Sequence, residues 1–380
     1  MTLELELTTN IVGQFPFGDS GALNFVFNLI YLFIFIMIML YGQKLQVLAQ
    51  LREVGGAVER LKTIKDEARR TVIEAIKEVS GSKSDPAPRV DQLIEYFTTI
   101  PISLDPAGIV PKIEHIVDIR DQRFRNEVKI MSPGAREDQI SNLEGALDVT
   151  LGLNTIYRIV RHYYIMSKNT MSLYVLMQIQ MALPLIMREA EALAGAVKAF
   201  VAGQPIGDGA GALVAAKLMY KKENKSIAKD IVMAETELDE RKIFVLKAEG
   251  PGANVGKPGD AIKKLIEDNG GKVSMVIMID AASKLEGENT GETAEGVGTA
   301  IGGIGVDEFK IEDVLTKYGV PINSIIIKES THDAITPMKK EIVDATDIVI
   351  AKVRRLILEH TKKGDTVILA GIGNTIGIGQ

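Results

Sequence analysis

Several things are missing from this chain of 380 residues. It has no cysteine and no tryptophan, and Phe, Tyr and Trp together make up 5% of it. Without thiols there is no disulfide framework, no thiol nucleophile and no Cys-ligated zinc. A strong net charge is also lacking. The 44 basic and 50 acidic residues leave a balance of −6, with no basic domain to follow a nucleic-acid backbone. No Ser-His-Asp order, H-E-x-x-H pair or EF-hand loop occurs, so the common signatures of hydrolytic and calcium chemistry are excluded. The absence of Cys and Trp beside abundant Ile, Lys and Glu suits a heat-adapted organism.

What is present first is an apolar run, Leu23 to Tyr41, interrupted only by Asn24 and Asn28. As a helix its length is roughly 28 Å, close to the ~30 Å hydrocarbon layer of a bilayer. Phe, Ile and Leu occupy every face of that helix, whereas a core helix of a soluble domain keeps a polar stripe. No Lys or Arg precedes Lys44, and Arg52, Arg60 and Lys62 follow it. Basic residues near a span stay cytoplasmic. The expectation is a single-pass cell-membrane protein with residues 1–22 outside, a transmembrane helix over 23–41, and the later domains in the cytoplasm. A cleaved signal peptide would need a basic start and small residues at its end, and neither is present.

Beyond the run the pattern turns amphipathic. Leu48, Leu51, Val54, Val58, Leu61, Ile64, Ala68, Val72, Ile76 and Val79 recur at threes and fours, which predicts a juxtamembrane helix over 42–80 with Gly55-Gly56 as a weak point. Its apolar seam calls for a partner, in a second copy of the chain or in the helices that follow, so a homo-oligomer is expected. Residues 81–88 read as a linker, and 89–202 as an all-α domain. Within it Asp105-Pro106 has the form of an N-cap followed by proline at the first helical position. The stretch Met171–Met187 sits at the lower limit for a second span, but Gln178, Gln180 and Pro184 interrupt it. It reads as a bundle helix that touches the membrane surface at most.

From Gly203 onward the chain is rich in glycine, and β-type runs alternate with helical ones. Asp230–Thr236 and Lys242–Ala248 flank a polar turn as a hairpin. Further strands are expected at Lys272–Ile279, Ile322–Ile327 and Thr366–Ala370, separated by helices at Pro258–Asp268, Asp307–Tyr318 and from Pro337 to about Lys362. That order predicts an α/β domain over 203–380 with a mixed but mostly parallel sheet. Lys284–Gly298, acidic and glycine-rich, reads as a mobile loop.

Ligands of such sheets bind at the carboxyl ends of the strands, and here those ends carry lysines, carboxylates and glycines. The stretch Glu249–Asp260 offers Gly250, Gly252, Asn254 and Gly256 as a backbone-amide cradle for an anion, with Lys257 as its point charge. Five residues between Gly250 and Gly256, and Pro258 after the lysine, exclude a Walker A loop. Lys328 and His332 follow another strand, with Lys284 nearby, and Gly371, Gly373 and Asn374 follow the last. Asp208, in a second glycine-rich stretch over 203–211, is a candidate helix cap or metal ligand. Asp280, Glu329 and Asp333 are candidate ligands for a hard cation such as Mg²⁺, which takes oxygen donors and bridges phosphate.

The apolar anchor followed by helices, together with PIGDGAGALVAAKLM, KAEGPGANVGKPGD and AGIGNTIGIG, resembles an archaeal membrane-anchored family defined only as a domain of unknown function. The resemblance covers essentially the whole chain. It implies an archaeal host and a plasma-membrane location, and transfers no catalytic residue. Two functions follow from the residues. One is a membrane-anchored cytoplasmic protein whose α/β domain binds a phosphate-bearing small molecule, as enzyme or sensor. The other is a self-assembling structural membrane protein without catalytic activity, its glycines serving tight turns. For the topology, protease added to intact cells is expected to leave the C-terminal domain whole. Its digestion without lysis would refute the cytoplasmic placement.

Overall fold

The computed structural model describes residues 21–81, 84–99 and 108–379. The first 20 residues and the Asp105-Pro106 cap lie outside them. A helical region comes first and an α/β domain second. The helices are α1 (Gly21–Ser80), α2 (Ala87–Ile94), α3 (Ile109–Met131), α4 (Glu137–Thr170) and α5 (Leu173–Ala202). Among the described residues no single helix is long and apolar enough to cross a membrane. The two arms of α1, Phe25–Met39 and Lys44–Ser80, meet that criterion only as a pair bent by 43°. Helix α1 runs through Gly55-Gly56 without a break, and the Tyr164 ring packs where a side chain on Gly55 would stand.

The chain divides into two units, 1–56 with 162–181, and 57–161 with 182–380. In the first, Val47, Leu51 and Val54 of α1 and Leu176 and Ile179 of α5 are buried. In the second, the same seam continues through Val58, Leu61, Ala68, Val72 and Ile76, all buried within the one chain. Leu48, at the start of that face, is 54% exposed.

The α/β part begins with a 3₁₀ turn (Gly207–Gly209) and α6 (Ala210–Met219), then β1 (Asn224–Ala228), β2 (Ile231–Leu238) and β3 (Arg241–Ala248). It continues with α7 (Pro258–Asp268), β4 (Met275–Ser283), β5 (Thr293–Gly296), α8 (Val306–Tyr318) and β6 (Ile322–Glu329). Last come α9 (Thr331–Ile335), α10 (Lys340–His360) and β7 (Thr366–Gly371). One seven-stranded sheet has the order β1-β2-β3-β7-β4-β6-β5. Its three central pairings, β3–β7, β7–β4 and β4–β6, are parallel. The other three, β1–β2, β2–β3 and β5–β6, are antiparallel.

The expected mostly parallel sheet is therefore corrected to a mixed one. The short edge strands β1 and β5 account for the difference, because their Lys, Ser, Glu and Gly residues carry little strand pattern. Strand β5 lies inside the stretch read as a mobile loop and is tied down where Glu295 pairs with Lys352 and Arg355. The β2–β3 hairpin turns on Asp239 and Glu240, both at positive φ (46° and 60°), the handedness that matches strand twist. The single long helix expected from Pro337 is α10 (Lys340–His360), and the short α9 (Thr331–Ile335) ahead of it was not expected.

Both faces of the central strands are covered, so β3, β4 and β7 read as unbroken apolar runs rather than alternating ones. Ile243, Val245, Ile277, Ile279, Val367 and Leu369 pack under α6 and α10. Phe244, Leu246, Val276, Met278 and Ile368 pack under α7 and α8. Each such side chain contributes about 1.5–3 kcal/mol by its removal from water. Helix α6 approaches closely enough that a Cβ on Gly211 would strike the carbonyls of Ile279 and Ile372.

Gly211→Ala is therefore expected to lower stability by about 1–3 kcal/mol, as overpacking against backbone does. Gly152→Ala, inside α4 with nothing within 4 Å of the added carbon, should raise it by up to about 1 kcal/mol. Urea midpoints of the two variants should move in opposite directions. Equal shifts would refute the packing account.

Candidate functional site

The glycine-rich stretches converge at the carboxyl edge of the sheet, and they converge on one another. Residues 249–254 and 374–378 are zipped together by Thr375 N–H to the Asn254 carbonyl and Gly377 N–H to the Pro251 carbonyl, both 2.9 Å. The buried Thr375 hydroxyl lies 3.0–3.1 Å from the carbonyls of Glu249, Gly252 and Asn254. A Cβ on Gly250 would strike the Ile378 carbonyl, one on Gly371 the Gly211 carbonyl, and one on Gly373 (φ 119°) the Asp208 carbonyl. Gly252 faces Ser141 and Asp138 of α4, and a Cβ on Gly256 (φ 62°) would strike the Ile231 side chain and the Asp230 carbonyl. The Asn254 side chain donates to Glu249 O, and the Asn374 amide donates to Asp208. The glycines of the expected cradle are thus packed closely against the protein's own backbone and side chains.

Lys257 is likewise engaged. Its ammonium donates to Glu114 (2.9 Å) and Asp118 (2.8 Å) of α3, and these carboxylates outweigh burial and raise its pKa. Lys310 of α8 joins Glu114 and Asp260, each at 2.7 Å. Burial opposes ionisation of Glu114, but Lys310 and Lys257 hold it below the usual carboxylate range. At the opening of α7 the Gly259 amide is taken by the Asp307 carboxylate at 2.8 Å, so the positive end of that helix already has its anion.

These residues border a cleft of about 450 Å³ between α3, α4 and the 253–257 loop. Glu114, Asp118, Asp121, Glu144, Asp230 and Asp307 line it, against Arg125, Lys229 and Lys257. Burial raises the pKa of Asp121 and of Asp307, and pushes Glu144 up to about 7 with Arg125 opposing. The α3 and α4 contribution was not anticipated from the sequence. Its signal is the spacing Glu114, Asp118, Asp121 and Arg125, steps of four, three and four that place all of them on one helix face.

The carboxylates proposed for a metal do different jobs. Asp333 caps α9 in a capping box with Ser330 and accepts from Thr290 (2.8 Å) and Lys339 (2.6 Å). Burial works against its charge, yet Lys339, Thr290 and Ser330 hold it well below the usual range. Asp280 accepts from the Ala281 amide, and Glu329, 1% exposed, has no hydrogen-bond partner on either oxygen. Burial, then the neighbouring Asp208, raise both to about 8. Among the described residues no group of three or more His, Cys, Asp or Glu is arranged to hold a metal ion. Lys328 pairs with Glu288, Lys284 donates to the Glu288 carbonyl, and the His332 ring is largely exposed. Lys247, also unanticipated, is 1% exposed, and burial brings its pKa down to about 8.

A helical N-terminal region followed by an α/β domain with glycine-locked loops is the class these features define. The chain belongs to the DUF1512 family. The model described as the protein of unknown function (DUF1512) N-terminal domain matches residues 28–203, and that described as domain of unknown function (DUF1512) C-terminal matches residues 206–379. No curated protein and no solved structure matches.

The raised carboxyls set a pH dependence. A carboxyl whose pKa is higher folded than unfolded favours folding fully below its ordinary range, and that contribution is lost as pH rises through the folded value. For Asp280 and Glu329 the window runs from about 4 to 8. Urea midpoints should fall as pH rises from about 5 to 9, and Glu329→Gln should flatten that fall by removing one of the two charges. Identical slopes for variant and parent would overturn the assignment.

Proposed function

We propose that this chain is a membrane-associated protein whose second unit binds a small organic cation in the cleft between α3, α4 and the 253–257 loop. The observation that carries the ligand class is the cleft's charge, six carboxylates against three cationic side chains. Lys257 is already neutralised by two of the carboxylates. A volume of about 450 Å³ suits a small metabolite, and an amine satisfies desolvated carboxylates better than water does in a half-enclosed site. The membrane reading is supported by the exposed apolar arm Phe25–Met39 and by the lack of Lys and Arg ahead of it.

Two other readings compete. A phosphate-bearing ligand is supported by the glycines around Lys257, but the cleft would repel it, and the nearest helix N-terminus is capped by Asp307. A purely structural, self-assembling role is supported by the interlocking of the glycine loops, which needs no ligand.

A thermal-shift screen of the full chain in detergent, with polyamines and amino-acid amines against nucleotides and phosphosugars, separates the three. A cation at 100 times its Kd should add about 2.7 kcal/mol. Lys257→Ala should leave amine binding intact or tighten it, and Asp118→Asn should weaken it. If phosphate were the ligand, Lys257→Ala would cost roughly 1.5–3 kcal/mol, about 10- to 150-fold in affinity. No stabilisation by any class would favour the structural role.

A further inference from the structure

We infer that the turn end of the α4–α5 hairpin is a second membrane-contacting surface, lying among the headgroups of an anionic bilayer beside α1. This rests on the membrane association proposed above and adds to it a surface that the apolar arm does not supply.

The first argument is position. Residues 162–181 form one unit with α1 up to Gly56. Tyr164 packs on Gly55, and Gln180 donates to Glu53 at 2.7 Å. The turn at Met171–Ser172 lies seven to eight residues from Tyr164 and from Gln180. Because residues 162–181 share a unit with α1 only up to Gly56, it comes level with Val47, eight residues before Gly55 and 1% exposed. Val47 lies six residues beyond Tyr41 in the sequence, about 9 Å along a helix. The headgroup layer adds roughly 5–8 Å on each side of the hydrocarbon. A turn level with Val47 therefore lies at the outer edge of the headgroups when the apolar arm is in the bilayer, within reach of side chains as long as Lys, Tyr and Met.

The second argument is chemistry. The hairpin turns at Met171 (φ 50°) and Ser172, whose hydroxyl caps the first turn of α5. Around that turn Tyr163, Met171, Tyr174, Met177 and Met181 are exposed, Tyr174 by 70% and Met181 by 79%. Such a patch on a soluble surface marks an interaction site, and tyrosines and flexible methionines are suited to the membrane–water boundary. No Asp or Glu occurs between Asp148 and Glu189, while Arg158, Arg161, Lys168 and Arg188 do. In a chain that is one quarter charged and acidic on balance, forty consecutive positions without a carboxylate leave a surface complementary to anionic lipid.

The absence of tryptophan makes the test direct. Full-length Tyr174→Trp carries a single indole, and Tyr220→Trp, at an exposed site just after α6, is its control. Each is reconstituted into phosphatidylglycerol-containing vesicles with and without phospholipid brominated in the acyl chain. The indole at position 174 should emit at shorter wavelength and be quenched about twofold or more by bromine, as an interfacial residue buried some 5–10 Å is; that at 220 should not. Lys168→Glu, at an exposed position three residues before the turn, in the Tyr174→Trp background should reduce the quenching in anionic vesicles and leave it unchanged in neutral ones. Protein that floats with vesicles but shows equal, weak quenching at both positions would overturn this surface and leave the membrane association standing. An emission shift that follows protein concentration instead of bromine would assign the surface to a second copy and overturn it equally. Failure to float would remove the membrane association itself.

Discussion

Backbone meeting backbone at the carboxyl edge of the sheet is the contact on which the α/β domain depends. Three stretches distant in sequence, 207–211, 250–256 and 371–377, approach until their carbonyls occupy the volume a Cβ would need. Only glycine permits that approach at no steric cost. The closeness lets Thr375 reach three carbonyls and lets the Asp208 carboxylate receive the Asn374 amide. Unmet backbone groups in a buried loop are costly, so the loops satisfy one another. The edge that in many α/β proteins is left open for ligand is here filled by its own chain.

Charge is displaced outward as a result. With the glycine edge sealed, the polar groups that still face open space lie on the flank, where α3 and α4 border the 253–257 loop. Lysines from the loop and from α8 are drawn to carboxylates of α3 and to Asp260. These ties are half-buried and share partners, an arrangement that loses less side-chain entropy than isolated surface pairs. They join helical and α/β parts of one unit electrostatically and leave the cleft an excess of negative charge. Beneath the seal, Glu329 keeps both oxygens unsatisfied, a cost that protonation relieves.

Much of the scaffold could be read from residues, for identifiable reasons. Helix α7 was legible at both ends because Pro258 presets the first turn and an apolar stripe follows it. Strands β3, β4 and β7 announced themselves as unbroken apolar runs. Strands β1 and β5 did not, since an edge strand of Lys, Ser, Glu and Gly resembles a loop until its neighbour is known, and they carry two of the three antiparallel pairings. The glycines were visible, but not what approaches them. Gly250 looks the same whether phosphate or the Ile378 carbonyl stands opposite. The fate of Lys257 was unreadable because its partners, Glu114 and Asp118, belong to a helix more than a hundred residues upstream.

The order of strands has a consequence for how the domain is made. Strand β7 lies between β3 and β4, although it is synthesised after both and after β6. During translation β3 and β4 can each emerge, the first with its hairpin and the second later with β6, but no ladder joins them. The sheet exists as two separate blocks with bare inner edges, and unpaired edges of this kind invite pairing with other chains. Both blocks must wait for β7 to slide between them, and the closure that joins them falls in one late step. Native assembly is therefore vectorial only up to that point, and more than a hundred residues are added after β3 before the middle of the sheet is filled.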